Sequence, residues 1–371
     1  MKTVAEGQIV FLIPAESIEK PTKATAFYNP RMQLNRDFSI AVAKAFFSGQ
    51  SRLIRVCEPL AASGVRALRY AKEVRNTNIV CADYKRSAFS TIEKNIGLNG
   101  LKNIRAFHEE AEKNLSRTNY DLIDIDPFGT PAPFLETALK QINIDGLLGI
   151  TATDMTVLCG VYPELAKKRY GGKTLRTDYC YELGARVLMY AAAQIAKKLK
   201  KSIEPLLVLG VDHYIRIWLK VEEAKSQTKN FGYIYHCFEC GWRKVSKSES
   251  GQACECGKNM EEAGPLWIGP IYNSKFLESV KREIINSNFG EKHRALNLIN
   301  SMIEEASYPE IITFYDIHKF CKIHNLNVPK TSELIEKLKK NGFKVSRTHF
   351  SNIGIRTNAS SEKLKTFIFS H

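Results

Sequence analysis

The sequence has no long apolar run. None of its stretches approaches the roughly 18 consecutive uncharged apolar residues that a membrane-spanning helix requires. The opening residues, MKTVAEGQIVFLIP, hold neither a long apolar segment nor a small-residue cleavage site, which argues against a secretory signal. Internal repeats and low-complexity segments are also missing. We therefore expect a cytoplasmic protein that does not enter a membrane.

Acidic residues are scarce relative to basic ones. The 39 Asp and Glu residues against 54 Lys and Arg give a formal charge of +15 and a pI near 9.3. This surplus favours a polyanionic partner, because Lys and Arg displace the counterions condensed on phosphates. Charge alone leaves open a nucleic acid, an acidic membrane surface and a merely solvated basic surface. Nothing in the sequence indicates an obligate protein partner.

The chain is long enough for more than one domain. At roughly 100–200 residues per domain, 371 residues suggest two or three, and we place them at 1–225, 226–268 and 269–371. In the first domain, apolar strands alternate with amphipathic helices, which predicts a parallel, doubly wound α/β sheet. The predicted strands are Leu53–Glu58, Asn78–Asp83, Asn103–Phe107, Asp121–Asp126 and Gly146–Ala152, and the predicted helices are Val65–Val74, Ser87–Ile96 and Pro133–Gln141.

The end of the first domain departs from this alternation. A long helix is predicted at about Asp178–Lys198, and it is followed by PLLVLGVDHYIRIWLKVE, an apolar stretch that alternates in its second half. The Gly-Val-Asp in its middle predicts a reversal into two strands. A late strand pair finishes the sheet in the manner of class I methyltransferases rather than of nicotinamide-dependent enzymes.

A glycine-rich dinucleotide fingerprint is also missing. The first strand runs through Glu58-Pro-Leu-Ala-Ala-Ser-Gly-Val-Arg66 into a helix, and this loop matches GxGxxG poorly. Its small residues still allow a ligand close to the backbone at the helix start. Asp83 ends the second strand, where a carboxylate binds ribose hydroxyls, and Glu109-Glu110-Ala111 follows the third. Together these positions predict a nucleoside cofactor, although the loop alone also fits ordinary packing of a β-α turn.

The fourth strand ends in a loop suited to methylating an amino group. The amine of a nucleobase is a poor nucleophile, because its lone pair is delocalised into the ring. A carboxylate and a neighbouring carbonyl that accept both N–H bonds favour a pyramidal nitrogen and ease proton loss. We assign Asp126 as this acceptor and base, Pro127 as the residue that stiffens the turn, and Phe128 as a stacking surface. Asp124 competes for the role of Asp126, and Asp126-Pro127 also fits a simple helix start.

Four of the nine cysteines are clustered. Cys237 and Cys240 are separated by two residues, and Cys254 and Cys256 follow after a gap of thirteen residues. Four thiolates at such spacing predict a knuckle around a structural, tetrahedral Zn²⁺. The second arm is tighter than usual, and the neighbouring His236 is an alternative ligand. A disulfide is less favoured in a reducing compartment.

The chain after Pro270 is polar and basic, with 16 Lys and Arg against 10 Asp and Glu. The segment from Phe314 to Phe350 predicts helix, turn, helix and then a strand after Asn341-Gly342, which is the order of winged-helix modules that bind nucleic acid. A small α/β packing domain fits equally well. Candidate phosphate-binding residues are Lys337, Lys339, Lys340 and Arg347, although such charge runs are usually solvated helix faces.

The chain resembles the archaeal and eukaryotic-type tRNA (guanine-26, N2) dimethyltransferase family over most of its length. The most specific similarities are the Asp-Pro-Phe-Gly loop at 126–129 and the Asn-Pro-x-Met-x-x-Asn-Arg-Asp stretch at 29–37. The others are Glu6-Gly7, Ser63-Gly64-Val65-Arg66, Thr151-Ala152-Thr153-Asp154 and the closing IGIRTNA at 353–359.

This resemblance implies a Rossmann-like class I methyltransferase sheet with a zinc-knuckle insert and a smaller α+β, winged-helix-like C-terminal domain that binds tRNA. It implies transfer of one or two methyl groups from S-adenosylmethionine to the N2 of guanosine 26. The residues expected to contact S-adenosylmethionine are Arg36, Arg66, Asp83, Glu110 and Ala111.

Three of these implied roles leave alternatives open. Arg36 suits bidentate pairing with the methionine carboxylate, but a surface or RNA-facing position also fits. Phe27 is expected to stack on the target base opposite Phe128, unless it packs in the core. Glu109 competes with Glu110 for the adenine.

Other functions remain alternatives. An amino-methyltransferase acting on rRNA guanine or on adenine N6 is the nearest. Adenine N6 enzymes typically have an Asp/Asn-Pro-Pro-aromatic loop, whereas Phe128 and Gly129 follow Pro127 directly in this chain. A non-catalytic tRNA-binding protein with a decayed methyltransferase fold should first have lost Asp83 or Asp126, and both are present. A dehydrogenase would require a better glycine fingerprint and a residue for hydride transfer.

Overall fold

In the computed structural model, which describes residues 1–17, 24–249 and 253–369, buried apolar runs form strands and amphipathic runs form helices. The strands are β1 (Lys2–Glu6), β2 (Ile9–Ile13), β3 (Ile54–Glu58), β4 (Thr77–Asp83), β5 (Ile104–His108), β6 (Tyr120–Ile125), β7 (Ile142–Ala152), β8 (Lys201–Val211), β9 (Tyr214–Glu223), β10 (Phe231–His236), β11 (Arg243–Ser246), β12 (Glu261–Trp267), β13 (Tyr315–Asp316), β14 (Val345–Thr348) and β15 (Ser351–Thr357). The α-helices are α1 (Gln33–Phe46), α2 (Val65–Glu73), α3 (Arg86–Leu98), α4 (Ala111–Leu115), α5 (Leu135–Gln141), α6 (Met155–Leu158), α7 (Pro163–Tyr170), α8 (Cys180–Lys198), α9 (Ser274–Ile285), α10 (Lys292–Ala306), α11 (Ile317–His324), α12 (Thr331–Lys340) and α13 (Ser361–Phe369).

Seven strands form the central sheet in the order β5-β4-β3-β6-β7-β9-β8. The five strands from β3 to β7 are parallel, whereas β9 is antiparallel to both of its neighbours. Every residue of β6 is buried, as expected for a central strand with helices on both faces. The predicted α/β sheet and its late strand pair are therefore confirmed.

The structure corrects the start of β7, which begins at Ile142 rather than at Gly146. Asn143 and Asp145 are typical turn residues, so their types predict a loop where the structure has the first part of the strand. The strand continues across a bulge: Tyr120 of β6 pairs with Ile142 and Leu122 pairs with Leu147, so residues 143–146 have no partner in β6, and Asp145 has a positive φ of 57°. An irregularity of this kind leaves no apolar alternation to detect.

Two connections near the sheet also refine the prediction. The reversal between β8 and β9 falls on Asp212-His213, with Asp212 at a φ of 53°, and such two-residue turns suit the twist of adjacent strands. The helix predicted at Pro133–Gln141 begins at Leu135, because Ala132–Phe134 form a short 3-10 turn first.

Helices cover both faces of the sheet. On one face, α1, α2 and α3 share a core with α9 and α10. On the other face, α5 and α8 pack together with apolar side chains of β10 and β12. A third core lies between β13, β15 and the last three helices. Helices α9 and α10, at the start of the C-terminal region, thus pack against the same face of the sheet as α1 and α2. The predicted domain boundaries after residues 225 and 268 stay a prediction.

The two smaller sheets lie in the predicted insert and in the C-terminal region. Strands β11-β10-β12 form the first, in a segment whose residues 250–252 lie outside the described part. The C-terminal elements follow the order α10, β13, α11, α12, β14, β15 with sheet order β13-β15-β14, which contains the predicted helix, turn, helix and strand of a winged helix. Within the described residues, no helix is long and apolar enough to cross a membrane.

Arg356, in the closing IGIRTNA motif, joins β15 to helices α8 and α10. Its Nη1 donates to Glu182 in α8 at 2.8 Å and to Glu305 in α10 at 3.1 Å, and all three side chains are buried. Glu182 also accepts two hydrogen bonds from Arg186, at 2.9 and 2.7 Å. Buried charges that are paired in this way hold elements in one relative position.

Candidate active site

Arg66 is the centre of a buried network at the carboxyl edge of the sheet. It is the second residue of α2, and its side chain is almost completely buried. Nε donates to Glu58 at 3.1 Å, Nη1 donates to Asn35 at 2.7 Å, and Nη2 donates to Asp126 Oδ2. The arginine therefore joins the end of β3, helix α1 and the loop after β6. Burial raises the pKa of the Glu58 carboxyl to about 8, against the opposing charge of Arg66.

Asp124 and Asp126 occupy different environments. Asp124 is fully buried, and its Oδ2 accepts from Tyr70 at 2.7 Å and from Arg216 at 2.6 Å. Burial alone would raise the pKa of Asp124, but Arg216 and Arg66 lower it. The Asp126 side chain is 19% exposed, and its Oδ1 has no hydrogen bond within the described residues. Asp126 is thus the carboxylate that a ligand reaches, and Asp124 is part of the buried support.

The Asp-Pro-Phe-Gly loop is fixed at its far end. Gly129, with a φ of 82°, donates its N–H to Thr153 Oγ1 at 2.7 Å and accepts from the N–H of Thr153 at 2.9 Å. Pro127 occupies the turn, and Phe128 is 67% exposed. The ring of Phe27 lies edge-on to Phe128 with centroids 4.6 Å apart. The structure therefore brings the two predicted stacking residues together, and the outer face of Phe128 is open.

Asp83 faces the loop that joins β3 to α2. Its Oδ2 accepts from the N–H of Ala62 at 3.0 Å, and its Oδ1 accepts from the N–H of Lys85 at 2.8 Å. Burial raises the pKa of Asp83. Ala62 has a φ of 52°, which is uncommon for a residue with a Cβ, and Gly64 has a φ of 79°. The loop thus turns its backbone towards the carboxylate, as a nucleoside site requires.

The structure separates the roles of Glu109 and Glu110. Glu109 accepts from Arg117 Nε at 2.6 Å and Nη2 at 2.7 Å, and from Asn114 at 2.9 Å. The hydrogen bonds from Arg117 lower the pKa of Glu109. Glu110 is exposed directly before α4, which begins with the buried Ala111, and its carboxylate has no partner in the part of the chain that the structure describes. Glu110 is the acceptor that is available to a ligand.

Arg36 has an internal partner that the sequence analysis did not assign. Its Nε and Nη2 donate to the two carboxylate oxygens of Glu6 at 2.7 and 2.6 Å, and its Nη atoms also contact the carbonyl of Asn29. Burial alone would raise the pKa of Glu6, but Arg36 and Arg69 lower it to about 2. Glu6 lies on the N-terminal hairpin, so this hairpin positions the start of α1. A contact between Arg36 and a methionine carboxylate stays a prediction.

Unpartnered polar atoms surround this network. Asn35 Nδ2, Asp124 Oδ1, Tyr214 OH and Arg216 Nε are buried and form no hydrogen bond among the described residues. Burial raises the pKa of Tyr214, and the charge of Asp212 adds to this effect. Buried polar groups are nearly always paired, so a concentration of exceptions points to a polar ligand. These residues fit the polar end of a nucleoside-linked amino acid.

The four clustered cysteines converge as predicted. Their Sγ atoms all lie within 4.8 Å of one another, and two of the distances, Cys237 to Cys256 and Cys240 to Cys254, are 3.6 and 3.4 Å. A tetrahedral ion with Zn–S bonds of about 2.3 Å needs sulfur atoms separated by roughly 3.8 Å. The ring of His236 hydrogen-bonds to Tyr179 at 3.2 Å instead. The donor set therefore fits one ion held by four thiolates.

The basic residues predicted to bind phosphate lie on the surface of the C-terminal region. Lys339, Lys340 and Arg347 are exposed, whereas Lys337 donates to the carbonyl of Phe367 at 2.9 Å. The structure does not bring these side chains next to Asp126 or to the cysteines. Their contact with RNA stays a prediction.

A seven-stranded sheet with an antiparallel last pair, a carboxylate at the end of β4 and an Asp-Pro-Phe-Gly loop after β6 has the architecture of a class I methyltransferase. The family model described as N2,N2-dimethylguanosine tRNA methyltransferase matches residues 7–368. The chain belongs to this family.

Named relatives and a solved structure agree with this membership. The tRNA (guanine(26)-N(2))-dimethyltransferase of Methanobrevibacter smithii is 37% identical, covering 99% of this chain and 97% of the relative. The protein of the same name from Methanosarcina barkeri is 35% identical, with 99% and 98% covered. The structure of Trm1 from Pyrococcus horikoshii with S-adenosyl-L-methionine is 29% identical, covers 100% of both chains and superimposes with a TM-score of 0.89.

Proposed function

We propose that this protein transfers one or two methyl groups from S-adenosylmethionine to the exocyclic N2 of guanosine 26 in tRNA. The observation that carries the proposal is the state of Asp126: one carboxylate oxygen is held by Arg66, the other is free, and the exposed ring of Phe128 follows two residues later. An amino group with two N–H bonds next to a flat aromatic ring matches this arrangement.

We infer a separate task for each of these side chains. Asp126 Oδ1 and a backbone carbonyl of the loop accept the two N–H bonds, and Oδ1 takes the proton that the nitrogen loses. Arg66 prevents the carboxylate from rotating away, and Thr153 holds the far end of the loop through Gly129. Phe128 stacks on the guanine, a contact worth roughly 1–3 kcal/mol. S-adenosylmethionine, when bound, supplies the electrophilic methyl group.

The target base has to leave its stem before it reaches Asp126. Extrusion of a base costs a few kcal/mol, and it costs least at a mismatched or noncontinuous position such as a stem junction. Phe27 and Phe128 contact each other edge-on, so a guanine that enters between them has to part the two rings. We propose that the basic C-terminal region holds the tRNA by its shape and phosphates during this step. A cytoplasmic location stays a prediction.

The proposed reaction is tested by transfer of labelled methyl from S-adenosylmethionine to an unmodified tRNA transcript. We expect the label to appear in N2-methylated guanosine and to disappear from a transcript with adenosine at position 26. Label that persists in the adenosine transcript would show that the protein methylates tRNA at a nucleotide other than position 26. Absence of label from every tRNA, with S-adenosylmethionine still bound, would overturn the proposal.

Glu109 and Glu110 are expected to contribute unequally to the binding of S-adenosylmethionine. We assign Asp83 to the ribose hydroxyls, Glu110 to the adenine amine, and Ala111, Arg36 and Arg66 to further contacts with the same cofactor. The change Glu110→Gln is expected to raise the Kd for S-adenosylmethionine roughly 10- to 100-fold, because it weakens a hydrogen bond to a charged acceptor.

The matched control for this prediction is Glu109→Gln. Since Glu109 is already occupied by Arg117, its replacement should change the Kd less than about threefold. Isothermal titration of both variants makes the comparison. A larger loss for the Glu109 variant would assign the adenine contact to Glu109.

The cysteine cluster predicts one structural zinc ion per chain. Cys237, Cys240, Cys254 and Cys256 fill all four positions of a tetrahedron, so the ion has no open site for chemistry. The change Cys240→Ser is expected to remove the metal, measured by elemental analysis, and to lower the melting temperature, because β10 and β12 of the knuckle pack against α8. Cys159→Ser, outside the cluster, should retain it. Full zinc occupancy in Cys240→Ser, or none in the unaltered protein, would refute this assignment.

A further inference from the structure

A cavity of about 140 Å³ lies where the knuckle, the C-terminal region and the loop before α8 meet. Its lining includes Arg176 and Asp178 from the loop, Phe238 from the knuckle, and Lys319 and Ile323 from α11. We name it the junction cavity. None of these five side chains contributes to the metal cluster or to the crevice around Asp126.

The junction cavity carries unneutralised positive charge. The carboxylate of Asp178 is already engaged, since it accepts from the backbone N–H of Asp316 at 3.0 Å and pairs with Arg243 at 3.5 Å. Arg176 and Lys319 are exposed, and neither forms an ion pair with a residue that the structure describes. Two free cations at one opening favour an anionic ligand.

The same cavity offers an apolar surface of the size of one ring. Phe238 is 44% exposed although it packs edge-on against His236 at 4.5 Å, and Ile323 is equally exposed. A space close to 150 Å³ is known to accommodate a benzene ring. An exposed aromatic ring beside free cations is the combination that binds a base and its phosphate.

The walls of the junction cavity are held in place before any ligand binds. Arg243 in the knuckle donates to the carbonyl of Phe314 at 2.7 Å, and its guanidinium lies 3.9 Å from the ring centroid of Tyr315. His324 of α11 hydrogen-bonds to the carbonyl of Cys240 at 3.0 Å. Ligand binding at a preformed site loses little free energy to ordering.

The junction cavity is connected to the active site along one edge of the main sheet. Asp154, just after β7, accepts from the hydroxyl of Tyr170 at 2.9 Å, next to the loop that carries Phe128. Gly160, six residues further on, packs so closely on the backbone before Arg176 that an added Cβ would lie 2.2 Å from the carbonyl carbon of Leu175. Contacts between successive segments therefore link the loop that carries Phe128 to the lining of the junction cavity.

We propose that the junction cavity binds one nucleotide of the substrate tRNA other than the target guanosine. Its phosphate contacts Arg176 and Lys319, and its base stacks on Phe238. The inference rests on the proposed tRNA substrate. It assigns to the knuckle a direct role in holding RNA, in addition to its packing against α8.

The changes Arg176→Glu and Lys319→Glu, made separately, test this site. Each should raise the KM for the tRNA transcript about tenfold or more, and leave the kcat at saturating tRNA and the Kd for S-adenosylmethionine unchanged. Each should also reduce the salt dependence of tRNA binding by about one phosphate contact. The matched control is Arg75→Glu, an equal charge change on an exposed residue at the opposite, amino edge of the sheet.

The outcomes separate this inference from the proposed function. If the unaltered protein methylates tRNA, and both variants have a KM for tRNA equal to that of Arg75→Glu, the junction cavity is not an RNA site. If no tRNA is methylated at all, the proposed function fails, and direct tRNA binding by the variants still decides the inference. A parallel loss of S-adenosylmethionine binding would indicate damage to the fold and overturn the assignment to RNA.

Discussion

The change Asp126→Asn is expected to lower kcat by about 10²- to 10⁴-fold, the range measured when a general base is removed. Asparagine keeps the size of the side chain but offers one acceptor fewer and does not take up the proton. The Kd for S-adenosylmethionine should change little, because Asp83 and Glu110 lie on other strand ends. Single-turnover methyl transfer with saturating cofactor measures the effect on the chemical step.

Asp124→Asn is the matched comparison on the same strand. Asp124 is fully buried and pairs with Arg216 and Tyr70, so its replacement leaves a buried guanidinium with a weaker partner. Its main expected effect is a loss of stability, up to the roughly 3–5 kcal/mol typical of a broken buried pair. A folded Asp124→Asn protein without activity, together with an active Asp126→Asn protein, would assign the acceptor role to Asp124 instead.

The change Arg66→Met is expected to cost about 3–5 kcal/mol of unfolding free energy and to abolish methyl transfer. Removal of the guanidinium leaves Glu58 and Asp126 without their cation, and Asn35 and Ser39 without the donor that they share. Methionine fills a similar volume, so the loss reflects charge and hydrogen bonding more than a cavity. Denaturant-induced unfolding measures this difference.

Two further variants serve as controls for Arg66→Met. Arg66→Lys keeps the charge but not the fork of donors, so it should recover part of the stability and little of the activity. Arg75→Met changes an exposed arginine, and such surface changes usually shift stability by less than about 0.5 kcal/mol. A loss in Arg66→Met no larger than in Arg75→Met would contradict the role of Arg66 as the centre of the network.

The backbone of the sheet was predictable from sequence because each element carries its own signal. The sequence of the fully buried β6 is mostly apolar, which predicts a strand, and the sequences of α2 and α3 have the amphipathic pattern that predicts a helix. The start of β7 was missed because the turn-forming residues 143–146 bulge out of the ladder, and only Ile142 before them and Leu147 after them pair with β6. Local chemistry predicts a strand well until tertiary pairing overrides it.

The candidate site was predictable only where it lies at strand ends. Asp83 and Asp126 follow apolar runs, so their position at the carboxyl edge follows from a parallel sheet. The partners of these residues come from distant segments: Glu6 and Arg36 are 30 residues apart, and Arg216 and Asp124 are 92 apart. Spacing carries no signal for such pairs, and only the folded chain shows which cation meets which carboxylate.

The choice between Glu109 and Glu110 illustrates the same limit on one dipeptide. Two adjacent acids look equivalent in the sequence. The structure distinguishes them because Arg117, eight residues further along the chain, reaches back to Glu109. The resemblance to a known family implies an adenine contact at this dipeptide, and the ion pair of Glu109 with Arg117 is the reason for proposing Glu110.

The 2-amino group itself is the most direct test of the proposed chemistry. Inosine differs from guanosine only in lacking this group, so a tRNA transcript with inosine at position 26 keeps the shape and the stacking surface. We predict that the guanosine transcript receives labelled methyl from S-adenosylmethionine and that the inosine transcript, although bound with a similar Kd, receives none. Equal transfer to both transcripts would show that the acceptor is not N2 of residue 26.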